Sequence, residues 1–158
     1  MNILLEEYKR LLLLLLKHKV EFILVGGYAV IYYGYARTTG DMDIWLKPDN
    51  ENKKHFILAL RDFGILEDDL NKLQEIDFEN AQHFFIGKTP NKIDFMTKLD
   101  GVTFSEADRS KNCFPLADQT VPIIQYEHLI TNKIMSDRSK DKADVEELKN
   151  IMKYKRND

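Results

Sequence analysis

Two aspartates, Asp41 and Asp43, stand two apart in the segment Asp41-Met-Asp-Ile-Trp-Leu46. On a strand, residues i and i+2 project from one face, so both carboxylates point together while Met42 and Ile44 point away. Like charges about 7 Å apart along a strand repel unless a cation lies between them. Oxygen-rich sites of this kind suit Mg²⁺ or Mn²⁺, which take one or two carboxylates and fill the remaining positions with water and phosphate. The plain alternative is the wet face of an edge strand, although Asp is depleted in strands. Asp94, in Lys92-Ile-Asp-Phe-Met96, is a second lone acid in an apolar strand pattern. Were that strand to pair beside the first, a third carboxylate would close the site and could draw a proton from an attacking hydroxyl. Otherwise it is a hairpin residue facing solvent.

Gly26-Gly27 separates the apolar run Glu21–Val25 from a helical pattern at Tyr28–Tyr35. Glycine lets a phosphate approach the backbone, and free N–H groups at a helix start attract it. A tight strand-to-helix turn without a ligand is the other reading. GxGxxG and GxxxxGK[ST] are both absent, so neither a Rossmann dinucleotide site nor a P-loop is supported. Thirteen residues separate the glycines from Asp41. That is enough for a helix to run away from the sheet and the chain to return to the same strand end.

The elements around these residues alternate irregularly. A helix is expected over 2–19, strands over 21–25 and 41–46, and a helix from about 50 or 51 to 62 stopped by Gly64. The acidic stretch 65–80 suits a short helix. Segments 82–87 and 92–97 read as a hairpin through Lys88-Thr-Pro-Asn91, and 113–116 and 121–124 as two more short strands. From Gln125 the pattern is helical, broken near 136–139. Without a regular βαβ rhythm, this predicts an α+β fold with a mixed sheet and a helical C-terminal segment. The 158 residues are read as one domain, with a core over 1–124 and helices over 125–158.

At 44% hydrophobic and 31% charged residues, the composition is that of an ordinary soluble globular chain. A net charge of -3 and a pI near 5.8 leave no basic footprint for tracking along nucleic acid. The lone Cys113 excludes an internal disulfide and fits a reducing cytoplasm. The run Leu11–Leu16 is too short to span a bilayer or to serve as a signal-peptide core, so it is expected in a buried helix and no membrane role is assigned. Four scattered histidines lack zinc-ligand spacing. Tyr28, Tyr32 and Tyr35 are expected to pack as one helical face. Trp45 shares the face of Asp41 and Asp43 and either lines the site or packs beneath it. In the tail, Val145, Leu148, Ile151 and Met152 are the expected inward face of a solvated helix, with Lys140 and Asp141 as secondary site candidates.

The order Val25-Gly26-Gly27, Asp41-Met42-Asp43-Ile44, Ile93-Asp94-Phe95 resembles the DNA polymerase β-type nucleotidyltransferase superfamily in its small bacterial form. Arg37-x-Thr39-x-Asp41-x-Asp43, the segment Ile93–Phe104, and the tail Lys133…Arg138-Ser-Lys-Asp141-x-x-Asp144-Val-Glu-Glu-Leu148 are similar to the branch holding AbiE-type toxins and antibiotic nucleotidyltransferases. The resemblance implies a nucleotidyltransferase fold and transfer of a nucleoside monophosphate from a nucleoside triphosphate to an acceptor hydroxyl, with pyrophosphate released. It implies Asp41, Asp43 and Asp94 as metal ligands and catalytic groups, and Gly26 and Gly27 around the β- and γ-phosphates. Arg37, Thr39 and Lys133 would be further nucleotide contacts. The acceptor could be a small molecule, a protein side chain or an RNA end, and one half of a toxin–antitoxin pair fits the same residues. A non-catalytic nucleotide- or metal-binding module is the remaining alternative. So small a chain has little beyond the core to form an acceptor pocket, so a second copy or a partner protein is expected to complete it.

Overall fold

A computed structural model describes residues 4–157. The chain opens with α1 (Glu6–Lys17), whose Tyr8, Leu11, Leu12 and Leu15 are buried. That spacing is one helical stripe, so the leucine run builds an amphipathic helix rather than one apolar all round. Among the described residues no helix is long and apolar enough to cross a membrane. Then follow β1 (Phe22–Val25), α2 (Gly26–Tyr32) and β2 (Met42–Leu46). Next come α3 (Asn50–Phe63), α4 (Glu67–Gln74) and the strands β3 (His83–Ile86) and β4 (Ile93–Met96). The remainder is α5 (Phe104–Ser110), β5 (Asn112–Leu116), β6 (Gln119–Ile123), α6 (Tyr126–Ser136) and α7 (Ser139–Asn157).

The strands form one six-stranded mixed sheet in the order β3-β4-β2-β1-β6-β5. The pairs β3/β4, β1/β2 and β5/β6 are antiparallel, whereas β2/β4 and β1/β6 are parallel. The fold is therefore α+β with helices flanking a mixed sheet. Local chemistry explains the better-defined boundaries. The Asp49 carboxylate accepts from the Asn52 N–H to cap α3, and Gly64 ends that helix with φ 110°. Gln125 caps α6 in the same manner.

One face of the sheet is sealed. Phe84 and Phe95 sit side by side on β3 and β4, and with Phe56 and Phe78 they make an aromatic cluster with centroid distances of 4.9 to 6.1 Å. Met42, Ile44 and Phe95 are fully buried. The opposite face carries Asp43 and Asp94, and it holds the candidate site.

Three expectations need correction. The helix after Gly26-Gly27 ends at Tyr32, so Tyr35 lies beyond it. Tyr28 is buried but Tyr32 is exposed, and the three tyrosines do not form one packed face. The helix α5 was not anticipated, although Thr103-x-x-Glu106 is a capping pair: the Thr103 hydroxyl accepts from the Glu106 N–H. The first residues of the expected helix over 2–19 lie partly outside the described residues.

Candidate active site

The site is built on one row of the sheet. Phe85 of β3 pairs with Asp94 of β4, Asp94 with Asp43 of β2, and Asp43 with Val25 of β1. Residues directly opposite share a face, so both carboxylates stand side by side with Gly26 immediately beyond Val25. Asp41 precedes β2 at the same end. The lone acid in the second strand pattern thus lies next to the pair in the first, which neither strand reveals alone.

Gly26 has φ +68°, and a Cβ there would lie 2.1 Å from Asp43 Oδ2. A Cβ on Gly27 would lie 2.4 Å from Thr39 Oγ1 and 3.3 Å from an Arg37 guanidinium nitrogen. Any side chain at either position would displace a site residue, so the glycines bring backbone against Asp43, Thr39 and Arg37. Tyr8 holds the other side: its hydroxyl donates to the carbonyls of Gly40 (2.5 Å) and Lys92 (3.2 Å), the residues leading into β2 and β4. Burial, then Tyr28 and the three nearby aspartates, pushes the Tyr8 phenol up to about 12, so it stays a donor.

The acids are crowded and incompletely satisfied. Burial, then the charges of Asp94 and Asp41, pushes Asp43 up to about 6, against the pull of Lys133 and Arg138. Asp41 Oδ1 and Asp94 Oδ1 are buried without a hydrogen-bond partner. Lys92 Nζ stands 3.7 Å from Asp41 and 3.5 Å from Asp94, and His83 Nε2 is 3.2 Å from Asp94. These are ion-pair distances, and Asp94 Oδ1 is left without a hydrogen bond. Among the described residues no three His, Cys, Asp or Glu side chains already converge as a closed metal cage. Orphaned, mutually repelling carboxylate oxygens nevertheless fit a hard divalent cation, whose shell includes water and phosphate.

Behind the glycines lies a buried ionic network. Lys133 of α6 donates to Asp141 (3.0 Å) and Asp144 (2.9 Å) of α7, and all three are at most 5% exposed. Arg37 donates to Asp144 from a terminal guanidinium nitrogen at 3.0 Å, and its Nε stands 2.9 Å from the other carboxylate oxygen, an ion-pair contact without a hydrogen bond. Burial would raise the Asp141 carboxyl, but hydrogen bonds from Ser136, Lys133 and Arg138 outweigh it and hold it down at about 2. Lys133 has three N–H donors and spends two on these acids.

No protein-family profile and no curated protein matches the chain.

Asp41, Asp43, Asp94, Gly26, Gly27, Arg37, Thr39 and Lys133 all line one cavity of about 400 Å³, together with Lys140 and Asp141. Every residue singled out for the site is therefore in one place. A second cavity of about 540 Å³ adjoins it, sharing Gly26, Asp43, His83, Lys133 and Arg138 and extending along Gln82, Lys98 and Asn132. Trp45 does not line either: it is buried and packs edge-on against Phe104 at 5.2 Å. Sequence reasoning passed over His83, Lys92, Tyr8 and Asp144 as site residues. Asp144 had a signal, since Asp141, Asp144 and Leu148 share one helical face and all are buried. The others had none, because only strand register and helix docking bring them in.

Proposed function

We propose that the chain is a metal-dependent nucleotidyltransferase of the DNA polymerase β type, moving a nucleoside monophosphate from a nucleoside triphosphate to an acceptor hydroxyl. The observation that carries this reading is the pairing of Asp94 with Asp43 and of Asp43 with Val25, which sets two carboxylates side by side against the Gly26-Gly27 backbone, with Thr39 and Arg37 packed beside it. The motif order resembling that superfamily supports it independently.

In this reading Asp41, Asp43 and Asp94 would hold Mg²⁺ or Mn²⁺, which when bound would neutralise phosphate charge and polarise the α-phosphorus. The peptide groups of Gly26 and Gly27, with Thr39 and the remaining donor of Lys133, seat the β- and γ-phosphates. Arg37 and Lys133 are long and flexible, and the buried Asp144 and Asp141 fix them in place before substrate arrives. The acceptor oxygen attacks the α-phosphorus and a new P–O bond forms. The bond from that phosphorus to the bridging oxygen breaks, and pyrophosphate departs toward the glycines. The hydroxyl proton passes to Asp94, and His83, exposed and 3.2 Å away, carries it to solvent. Catalysis here is chiefly positioning and charge stabilisation.

The test supplies α-labelled nucleoside triphosphates, Mg²⁺ or Mn²⁺ and a clarified cell extract. Label should move to a macromolecular or small acceptor with the wild-type chain and fail to move with Asp43→Asn. Transfer that persists in Asp43→Asn would contradict the reading.

A further inference from the structure

We infer that a third cavity, lined by Trp45, seats the acceptor, a small organic ammonium compound carrying an oxygen between its ammonium group and its reactive hydroxyl. The acceptor role rests on the transferase reading and deepens it, whereas binding in the cavity does not depend on that reading.

The cavity holds about 450 Å³, and Trp45, Thr97, Leu99, Val102 and Phe104 form much of its wall. It adjoins the cavity of about 540 Å³ beside Asp43, with Ala81, Lys98 and Leu99 on their common border. Trp45 is 1% exposed, and its indole Nε1 is buried with no hydrogen-bond partner. A buried indole N–H ordinarily finds an acceptor, because leaving it bare forfeits its bond to water. The fold supplies none, and an oxygen of a molecule in the cavity would. Trp45 also stands two residues beyond Asp43 on the same face of β2, about 7 Å along the strand. One short molecule can therefore reach from the carboxylates to the indole.

Charge orients that molecule. Glu79 and Glu106 lie at the exposed margin of the third cavity and form no salt bridge among the described residues. Lys98 sits on the border, and Lys133 and Arg138 line the adjoining cavity. The cations repel an ammonium group from the reaction side, and the two glutamates draw it to the far margin. An RNA end, rich in phosphate, would meet those glutamates unfavourably. With its ammonium group outermost and its central oxygen under the Trp45 N–H, the compound presents its hydroxyl toward Asp94. That oxygen attacks the α-phosphorus and a P–O bond forms. The bond to the bridging oxygen breaks, pyrophosphate leaves, and Asp94 takes the hydroxyl proton.

Trp45 is the sole tryptophan, so its fluorescence reports on this cavity alone. The full chain is titrated with aminoethoxyethanol, which carries a hydroxyl, a central ether oxygen and a terminal ammonium group. Two isosteres serve as controls: aminopentanol, with a methylene for the ether oxygen, and propoxyethanol, with a methyl for the ammonium group. Aminoethoxyethanol should shift the Trp45 emission, and each isostere should bind about fivefold more weakly, the size of one lost hydrogen bond or ion pair. The double variant Glu79→Gln, Glu106→Gln should weaken aminoethoxyethanol by a similar factor and leave propoxyethanol unchanged. In Trp45→Phe, followed by saturation-transfer NMR, the ether and methylene compounds should bind alike. An emission unmoved by aminoethoxyethanol, or either isostere binding as well as it does to the wild type, would overturn the site. With Mg²⁺ and α-labelled nucleoside triphosphates, the purified chain should place label on aminoethoxyethanol. Binding without labelling, in a chain that calorimetry shows to bind triphosphate, would overturn the acceptor role. A chain that binds the amine but no triphosphate sinks the transferase reading, and the acceptor role with it, while the ligand site stands.

Discussion

Phe95 and Asp94 are chain neighbours on β4, and they face opposite sides of one sheet. On Phe95's side, helices close over a cluster of interlocked aromatic rings. On Asp94's side, carboxylates are left repelling one another, two of their oxygens lack partners, and a phenylalanine stands in solvent. The two-residue period of a strand makes this division possible. One face supplies stability, and the other holds charges in an arrangement the fold must be rigid enough to tolerate.

The largest expected effect lies on the sealed face. Phe95→Ala removes a fully buried ring packed 4.9 Å from Phe56, and should cost about 4 kcal/mol in urea denaturation. A loss under about 1 kcal/mol would mean the cluster is not close-packed. Next comes the ionic network behind the glycines. Asp144→Ala leaves Arg37 without its clamp and Lys133 with Asp141 alone, a destabilisation of about 3 kcal/mol by the same measurement. Equal stability in the variant would show that the network is solvated and does not fix Arg37.

On the open face the sign should reverse. Asp43 is pushed up to about 6 in the fold, above its ordinary carboxylate value. A raised folded-state value means that ionisation opposes folding. The penalty is absent below the unfolded value, grows as pH rises toward 6, and is complete above it. Asp43→Asn should therefore stabilise the metal-free chain at pH 7.5 by about 1–3 kcal/mol and do little at pH 4. Thermal melts at the two pH values check this, and a variant less stable at pH 7.5 would place Asp43 in a compensated, structural role. The smallest effect should come from Phe85→Ala, within about 0.5 kcal/mol of wild type on unfolding. Two phenylalanines on neighbouring strands would then differ severalfold in what they contribute to stability.

Much of this division was legible in the sequence, and its limits are physical. The strands carrying Asp43 and Asp94 declared themselves by apolar runs interrupted by a single acid, and Asp49 and Gly64 marked the ends of α3 by capping chemistry. Sheet order was not legible, since nothing local to β2 or β4 states that they pair in parallel with Asp43 beside Asp94. For the same reason His83 and Phe85 looked like ordinary hairpin residues. Trp45 illustrates the converse: its strand face is shared with Asp43, yet α5, which the pattern reading passed over, covers it with Phe104. Asp144 was readable as part of an inward helical face, but a carboxylate on such a face suggests solvent until Lys133 and Arg37 are seen to meet it.

The most direct test of the open face is calorimetric titration with ATP, with and without Mg²⁺ or Mn²⁺, of the wild-type chain and of Asp41→Asn and Asp43→Asn. Metal-dependent triphosphate binding in the wild type, lost in both variants while each stays folded, is the predicted result. A wild-type chain that binds no nucleoside triphosphate even with metal present would contradict the account at its centre.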